Sequence, residues 1–132
     1  MDVLRRNTDY ALRAILNLAE SQEDSVSTRD IADQEKISYQ LACKLMQKMK
    51  KAGLVESVMG KKGGYSLSRK PADITLKEVI DAIQGPVLLN RCLKKGYVCE
   101  KMENCPINKK LKQWQNELDR EMQETTLEEL IS

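Results

Sequence analysis

The sequence predicts a mainly α-helical fold that carries one small β-hairpin. Apolar residues recur at helical spacing in "TDYALRAILNLAE" near the N-terminus and again across residues 107–122. Two short stretches with strand-like composition, "LVESVM" and "YSLS", flank the glycine-rich "GKKGG", whose glycines permit the positive φ angles of a hairpin turn. A chain of 132 residues is most simply one domain and can bury a core without disulfide bonds.

Composition excludes several classes of protein. No stretch of about 18 apolar residues is present, so we expect no membrane-spanning helix and no membrane partner. The N-terminal stretch mixes charged and apolar residues and lacks the apolar core of a secretory signal. We therefore expect a cytoplasmic protein whose thiols stay reduced. The sequence has no histidine, the commonest general base, and shows no phosphate-cradling glycine loop, so we do not expect an enzyme.

Three helices are predicted before the hairpin. The second and third are short and joined by only a few residues, and the third is basic, which is typical of a helix-turn-helix. The hairpin that follows, with two lysines at its tip, is then a wing. The capping candidates are Thr8 or Asp9 for the first helix, Ser27 or Thr28 for the second, and Ser38 for the third, which Gly53 is placed to end.

Two further helices and a short terminal one are predicted after the hairpin. Thr75 and Glu78 form a capping box for the fourth helix. Pro106 suits the first turn of a long last helix, and "TTLEELIS" follows it as a short one. The long helix has an apolar stripe on an otherwise charged surface, which most simply packs against a copy of itself in a homodimer. The stripe comprises Ile107, Leu111, Trp114, Leu118 and Met122.

The net charge of +2 conceals an uneven distribution of charge. Residues 36–70 carry nine Lys or Arg against Glu56 alone, a balance of +8, whereas residues 113–132 have a balance of −5. A basic segment of this density is a candidate surface for a polyanion. Because the segment coincides with the predicted helix-turn-helix and wing, the sequence predicts binding to double-stranded DNA.

The third helix is the predicted reader of DNA bases. A helical wheel turns Leu41, Ala42, Leu45, Met49 and Ala52 toward the core. The opposite face is polar, and glutamine can bond adenine edges while lysine bonds guanine edges or phosphate. On that face Cys43 is expected to be a small contact residue rather than a redox-sensitive thiol. The predicted DNA-binding residues are Thr28, Ser38, Tyr39, Gln40, Cys43, Lys44, Gln47, Lys48, Lys51, Lys61 and Lys62.

Three cysteines crowd into one polar stretch, "RCLKKGYVCEKMENCP". Cys92, Cys99 and Cys105 lack the C-x-x-C pairs that are usual in zinc ribbons. Three thiolates in a glycine-containing loop suit an iron–sulfur cluster, which tolerates varied ligand spacing. A zinc site, a thiol switch based on a disulfide, and inert surface cysteines remain open alternatives at this point.

The chain resembles the Rrf2 family of bacterial regulators nearly end to end, including its IscR-, NsrR- and RirA-like members. The resemblance is carried by "TDYALRAILNLA", "STRDIA", "KISYQLACKLMQKMKKAGLVES", "GKKGGYSLSRKPADITLKEVIDAI" and the three-cysteine loop. It implies a homodimer of winged helix-turn-helix domains joined by the long helix, and binding to a palindromic operator, usually as a repressor. Carried over, Cys92, Cys99 and Cys105 become ligands of a 2Fe–2S or 4Fe–4S cluster.

The sequence departs from the family pattern at the position of the fourth cluster ligand. Some relatives have a histidine three residues after the last cysteine, and this chain has Asn108 there. Asp9, approaching from the partner's first helix, is our candidate, which favours 4Fe–4S over 2Fe–2S. A first-turn carboxylate that simply suits the helix dipole is the rival explanation for Asp9. Glu100, Glu103 and Asn108 are weaker candidates.

The sequence thus predicts three segments and one leading function. Residues 1–85 form the winged helix-turn-helix DNA-binding domain, 86–106 the cysteine-rich cluster-binding loop, and 107–132 the dimerisation helix with a short C-terminal helix. The leading function is a transcription regulator whose cluster senses iron, redox state or nitric oxide. Two alternatives are a cluster-free regulator that depends on thiols or zinc, and an adaptor that binds a metabolic enzyme through its acidic C-terminal helix.

Overall fold

A computed structural model describes residues 2–61, 63–101 and 103–132. The predicted mainly helical fold with one hairpin is confirmed. Short 3₁₀ turns lie at Pro71–Asp73 and Arg91–Leu93. The helices and strands of the described residues are α1 (Arg6–Glu20), α2 (Thr28–Glu35), α3 (Tyr39–Lys51), β1 (Val55–Val58), β2 (Gly64–Leu67), α4 (Leu76–Ile83), α5 (Pro106–Glu124) and α6 (Leu127–Ile131).

The predicted caps of three helices are confirmed. The Ser27 hydroxyl accepts from the Asp30 N–H, and the Ser38 hydroxyl accepts from the Leu41 N–H, each at 3.0 Å. Thr75 heads α4 in a complete capping box with the side chain of Glu78. These side chains satisfy N–H groups that the first turn of a helix leaves without an internal acceptor.

The start of α1 differs from the prediction. The helix begins at Arg6 rather than after Thr8 or Asp9, and its N-cap residue Arg5 makes no side-chain capping bond. Thr8 lies inside the helix and is fully buried. Tertiary packing decides this, because Gln84 at the end of α4 accepts from the Arg5 N–H at 2.9 Å and donates to the Val3 carbonyl at 3.1 Å.

The wing is an antiparallel hairpin in the register Val55↔Leu67 to Val58↔Gly64. Strand β2 also pairs on its other side with the segment before α2, through two bonds of 2.9 Å between Val26 and Tyr65. A Cβ at Gly64 would overlap the Val26 backbone. Glycine at this position therefore lets the wing lie directly against the helix-turn-helix.

One hydrophobic core unites the first and last parts of the chain. Ile15, Met46, Ile74 and Leu127 are each fully buried within it. The Leu127 N–H donates to the Ile74 carbonyl at 3.0 Å, which holds α6 beside the start of α4. The C-terminal helix thus packs into the same core as the helix-turn-helix. The functional division at residues 85 and 106 stays a prediction.

No helix within the described ranges is long and apolar enough to cross a membrane.

Candidate DNA-binding surface and cysteine loop

The third helix presents a polar face away from the core. Ala42, Leu45 and Met49 are buried as predicted, and Met46 joins them at 0 % exposure. Ala52 was predicted to face the core, and this is wrong: it is exposed at the C-cap, where the chain leaves the helix. The exposed residues of this face are Gln40, Lys44, Gln47, Lys48 and Lys51.

A small polar cluster holds Tyr39 at the start of α3. The guanidinium carbon of Arg29 on α2 lies 4.9 Å from the centroid of the Tyr39 ring, a cation–π distance. A hydrogen bond with the Cys43 side chain is the main cause that raises the pKa of the Tyr39 hydroxyl above its usual value. Cys43 is half-buried and therefore contacts its own helix as well as facing the outer surface.

The remaining predicted DNA contacts occupy varied positions. Ser38 is exposed, but its hydroxyl is engaged as the α3 cap. Thr28 is half-buried at the first position of α2. Lys61 is exposed at the wing tip, and Lys62 lies outside the described residues. The helical wheel also places Lys50 on the outer face, although it is not among the predicted DNA contacts. Its ammonium donates to the Ser57 hydroxyl at 3.0 Å and joins α3 to the wing.

The cysteine loop, residues 86–106, brings two of its three thiols to one asparagine. The Asn108 side chain donates to Cys92 Sγ at 3.3 Å, and the Asn108 backbone N–H donates to Cys105 Sγ at 3.4 Å. Asn90 also donates to Cys92 Sγ, at 3.4 Å. Asn108 is 5 % exposed on α5, so the sulfur pair is anchored on a regular helix.

The third thiol, Cys99, does not share the Asn108 contacts of the other two. Cys99 is exposed, and no group of three or more Cys, His, Asp or Glu side chains in the described part of the chain is arranged to hold a metal ion. The donor set of soft thiolates still suits iron–sulfur chemistry.

Gln115, which sequence reasoning missed, attaches the start of the cysteine loop to α5. Its amide nitrogen donates to the Val87 carbonyl at 2.7 Å, and its amide oxygen accepts from the Leu89 N–H at 2.8 Å. Gln115 is 7 % exposed. The sequence signal that could have identified Gln115 is its spacing of seven residues from Asn108, since residues two helical turns apart share a face.

Asp9 lies in the first turn of α1, where its carboxylate pairs with Arg13 at 3.1 Å. This is an exposed i, i+4 pair, which contributes little to stability. Within one chain, Asp9 is not grouped with the cysteines. A role as the fourth ligand therefore requires that it come from a partner chain.

The predicted dimer stripe on α5 divides into two parts. Ile107 and Trp114 are 69 % and 48 % exposed, and Leu111 is half-buried between them. Met122 is only 6 % exposed and belongs to the core of its own chain, against which Leu118 also packs. The place of Met122 in a contact with a partner stays a prediction, and its side chain is already covered within its own chain. The free apolar surface consists of Ile107, Leu111 and Trp114.

The Rrf2 family model, described as an iron-dependent transcriptional regulator, matches residues 4–132. The chain belongs to the Rrf2 family. As an Rrf2 protein it is a DNA-binding transcription regulator and not an enzyme.

Individual relatives agree with this membership of the Rrf2 family. The HTH-type transcriptional regulator IscR of Escherichia coli O1:K1 / APEC is 32 % identical over 124 residues, which are 93 % of this chain and 76 % of that protein. Protein aau3 of Rhizobium meliloti (strain 1021) is 29 % identical over 129 residues, 97 % and 84 % of the two chains. The structure of CymR (YrzC), the global cysteine regulator of B. subtilis, matches with a TM-score of 0.82 and 27 % identity, covering 99 % of this chain and 97 % of that one.

Proposed function

We propose that this Rrf2 protein is a homodimeric, cytoplasmic repressor whose binding to a palindromic operator is controlled by an iron–sulfur cluster on Cys92, Cys99 and Cys105. The observation that carries the proposal is the pair of sulfurs, on Cys92 and Cys105, that share Asn108 at the start of α5. The thiols therefore sit where the DNA-binding body meets the long helix. The family's description as iron-dependent supports an iron-based signal.

On the DNA side, α3 enters the major groove. Gln40 and Gln47 are exposed on its outer face and suit adenine edges, while Lys44, Lys48 and Lys51 suit guanine edges or phosphates. Lys61 at the wing tip suits the phosphate backbone or the minor groove. In a dimer, the two reading helices must lie about 34–36 Å apart to reach successive major grooves.

The cysteine loop couples a change in the ligation of the three thiols to the distance between the two reading helices of the dimer. When bound, an iron–sulfur cluster supplies a link among the three thiolates that depends on iron supply and redox state. Asn108 and Asn90 donate to the sulfurs and orient them, as outer-shell groups do at metal sites. Gln115 fixes Val87 and Leu89 to α5. We infer that a change in loop conformation shifts α5 and thereby the two reading helices.

For the fourth ligand we propose Asp9 of the partner chain, which favours a 4Fe–4S cluster. Two observations support this choice over Asn108. The Asn108 amide is directed to Cys92 Sγ through its nitrogen, and it is buried. The Asp9 carboxylate makes only an exposed ion pair with Arg13, which is easily exchanged for another partner.

The test is purification without oxygen, followed by visible absorption spectra and by iron and acid-labile sulfide analysis. We expect brown wild-type protein, colourless and iron-poor Cys92→Ala, and brown Cys43→Ala. Cys43→Ala is the matched control because it removes the fourth cysteine, which lies on α3 and outside the loop. Operator binding is measured on the same samples, and its response to cluster loss is expected in wild type and absent in Cys92→Ala.

Two outcomes would contradict parts of this proposal, one the fourth ligand and the other the cluster itself. Mössbauer spectra of Asp9→Ala that match those of wild type would contradict Asp9 as the fourth ligand. Colourless wild-type protein, even after reconstitution with iron and sulfide, would contradict the cluster.

A cluster-free regulator that depends on thiols or zinc is the second candidate. The observation that favours it is that Cys92 and Cys105 both accept from Asn108, whereas no group of three or more Cys, His, Asp or Glu side chains in the described residues is arranged to hold a metal ion. The fold match to the B. subtilis cysteine regulator CymR points the same way. Colourless protein whose operator binding responds to an oxidant or to zinc, and loses this response in Cys92→Ala, would support it.

A further inference from the structure

The N-terminus of α1 is an uncapped end of a 15-residue helix. The first N–H groups of any helix have no acceptor within it and carry partial positive charge. At α2, α3 and α4 a serine or threonine hydroxyl accepts from one of these groups, whereas Arg5 at the α1 N-cap offers no acceptor side chain. This helix start therefore favours an external anion.

Thr8 supplies an independent sign of a missing ligand. It lies in the first turn of α1 and is 0 % exposed. Its hydroxyl oxygen has no hydrogen-bond partner, and it is alone in this among the buried side chains of the described residues. Buried hydroxyls in native proteins are nearly always paired, so an unpaired one next to free helix N–H groups indicates a position for an acceptor.

Thr8 is also one of the residues that line a recess with a basic lining. Thr8 lines it together with Arg5, Arg6 and Lys48, and no acidic side chain contributes to the 360 Å³ space. Gln84 holds the segment before the helix through its two bonds to Val3 and Arg5, so the position of the helix start is fixed by α4. The recess thus combines three cations with hydrogen-bond donors that have no acceptor.

The recess lies against the flank of the reading helix. Lys48 is an exposed residue of α3. The start of α1 borders a second recess, which is lined by Arg6 and Asn7, by Lys36 at the C-cap of α2 and by Ser38 at the N-cap of α3. The N-terminus of α1 therefore lies beside the helix that is proposed to enter the major groove. The phosphate backbones of the DNA border that groove.

We propose that the N-terminus of α1 binds one phosphoryl group. The Thr8 hydroxyl and the first N–H groups of α1 donate to it, and Arg5, Arg6 and Lys48 supply charge. A backbone phosphate of operator DNA is the favoured source, and for that source the inference rests on the proposed function. Free inorganic phosphate offers the same chemistry, and the experiment separates the two.

The first experiment measures the site without DNA. The Tm of full-length protein is recorded in inorganic phosphate against chloride of equal ionic strength. We expect phosphate at ten times its Kd to raise the Tm of wild type by roughly 5 °C. Thr8→Val, which keeps the shape of the side chain, and Lys48→Gln lose most of this rise. Thr125→Val is the matched control, because it removes a hydroxyl that is already paired with the Glu121 carbonyl.

The second experiment measures DNA binding to a duplex selected by wild-type protein from a random library. Thr8→Val is expected to weaken binding roughly tenfold while leaving the Tm of the free protein unchanged or higher. Lys48→Gln is expected to reduce the salt slope by about one, and Lys112→Gln on α5 to leave it unchanged. A neutral methylphosphonate at one backbone position per half-site is expected to weaken wild type and to have no further effect on Thr8→Val.

The outcomes are distinct. Loss of the phosphate effect in Thr8→Val with unchanged DNA binding supports the site and assigns it to free phosphate. Failure of wild type to bind any duplex refutes the proposed function, while the phosphate titration still decides the site. If Thr8→Val alters neither the phosphate response nor DNA binding, the inference is wrong and the hydroxyl meets only water.

Discussion

Asn108 and Gln115 show how two buried amides join a polar loop to a helix. Each side chain has both donor and acceptor groups, and each is almost fully covered on the face of α5 that looks toward the loop. Asn108 reaches sulfur, and Gln115 reaches backbone groups on both sides of Leu88. A buried amide without partners is costly, so both residues favour one position of the loop relative to α5.

Gln115→Ala should destabilise the protein by about 2–3 kcal/mol, because it leaves the Val87 carbonyl and the Leu89 N–H without their partner. Gln113→Ala on the same helix is the control, since Gln113 is exposed and only accepts from Lys110, and it should change stability by less than about 0.5 kcal/mol. Urea unfolding at one protein concentration measures both. Equal effects of the two substitutions would rule out the anchoring role of Gln115.

Thr8, Met122 and Gln115 mark what the sequence does not reveal at the residue scale. Each carries an ambiguous local signal: a threonine near a helix start, an apolar residue in a stripe, a glutamine in a charged helix. Their burial depends on tertiary packing, such as that of α4 and α6 on α1 and of the loop at Val87 and Leu89 on α5, which lies beyond local pattern. The capping serines and Thr75 were predicted because their partners lie only three residues away.

At the scale of elements, backbone pairing holds the wing to the helix-turn-helix, in addition to the side-chain bond from Lys50 to Ser57. Two hydrogen bonds between Val26 and Tyr65 make the segment before α2 an added partner of β2. The hairpin itself was predictable from "GKKGG" and its flanks, but this second pairing was not, since it joins residues far apart in the sequence. It follows that the wing is linked through the backbone to the segment that leads into α2.

Gly64→Ala should break this pairing, because the added Cβ would overlap the backbone of Val26 and Ser27. We expect a loss of about 1–3 kcal/mol, typical of overpacking, and faster hydrogen exchange at the Val26 and Tyr65 amides. Ser66→Ala, on the same strand, is the control. Unchanged protection of both amides would show that the segment before α2 can shift without cost.

At the scale of the whole molecule, α5 has two apolar sides with different partners. With 100° per residue, Met122 and the buried amides lie on the side that faces the chain's own core. Ile107 and Trp114 lie on the neighbouring side and are exposed. The sequence pattern correctly marked α5 as apolar along one arc, but it could not separate the part covered within the chain from the part left for a second copy.

Trp114→Glu should shift the proposed homodimer toward monomer, because it places a charge in the exposed apolar surface formed by Ile107, Leu111 and Trp114. Asn116→Glu is the control, as it adds the same charge on the opposite side of α5. Sedimentation or light scattering gives the mass, and operator affinity should fall more than tenfold for Trp114→Glu alone if both half-sites must be engaged. A dimeric Trp114→Glu protein would place the interface elsewhere.

The pairing of α6 with the start of α4 bears on how the protein is made. Because Leu127 completes the core around Ile74, the helix-turn-helix lacks part of its support until residues near 127 have left the ribosome. A nascent chain that has exposed only its reading helix and wing is therefore not yet a finished DNA-binding unit. Operator occupancy by nascent chains that have not yet exposed Leu127 is disfavoured by the architecture itself.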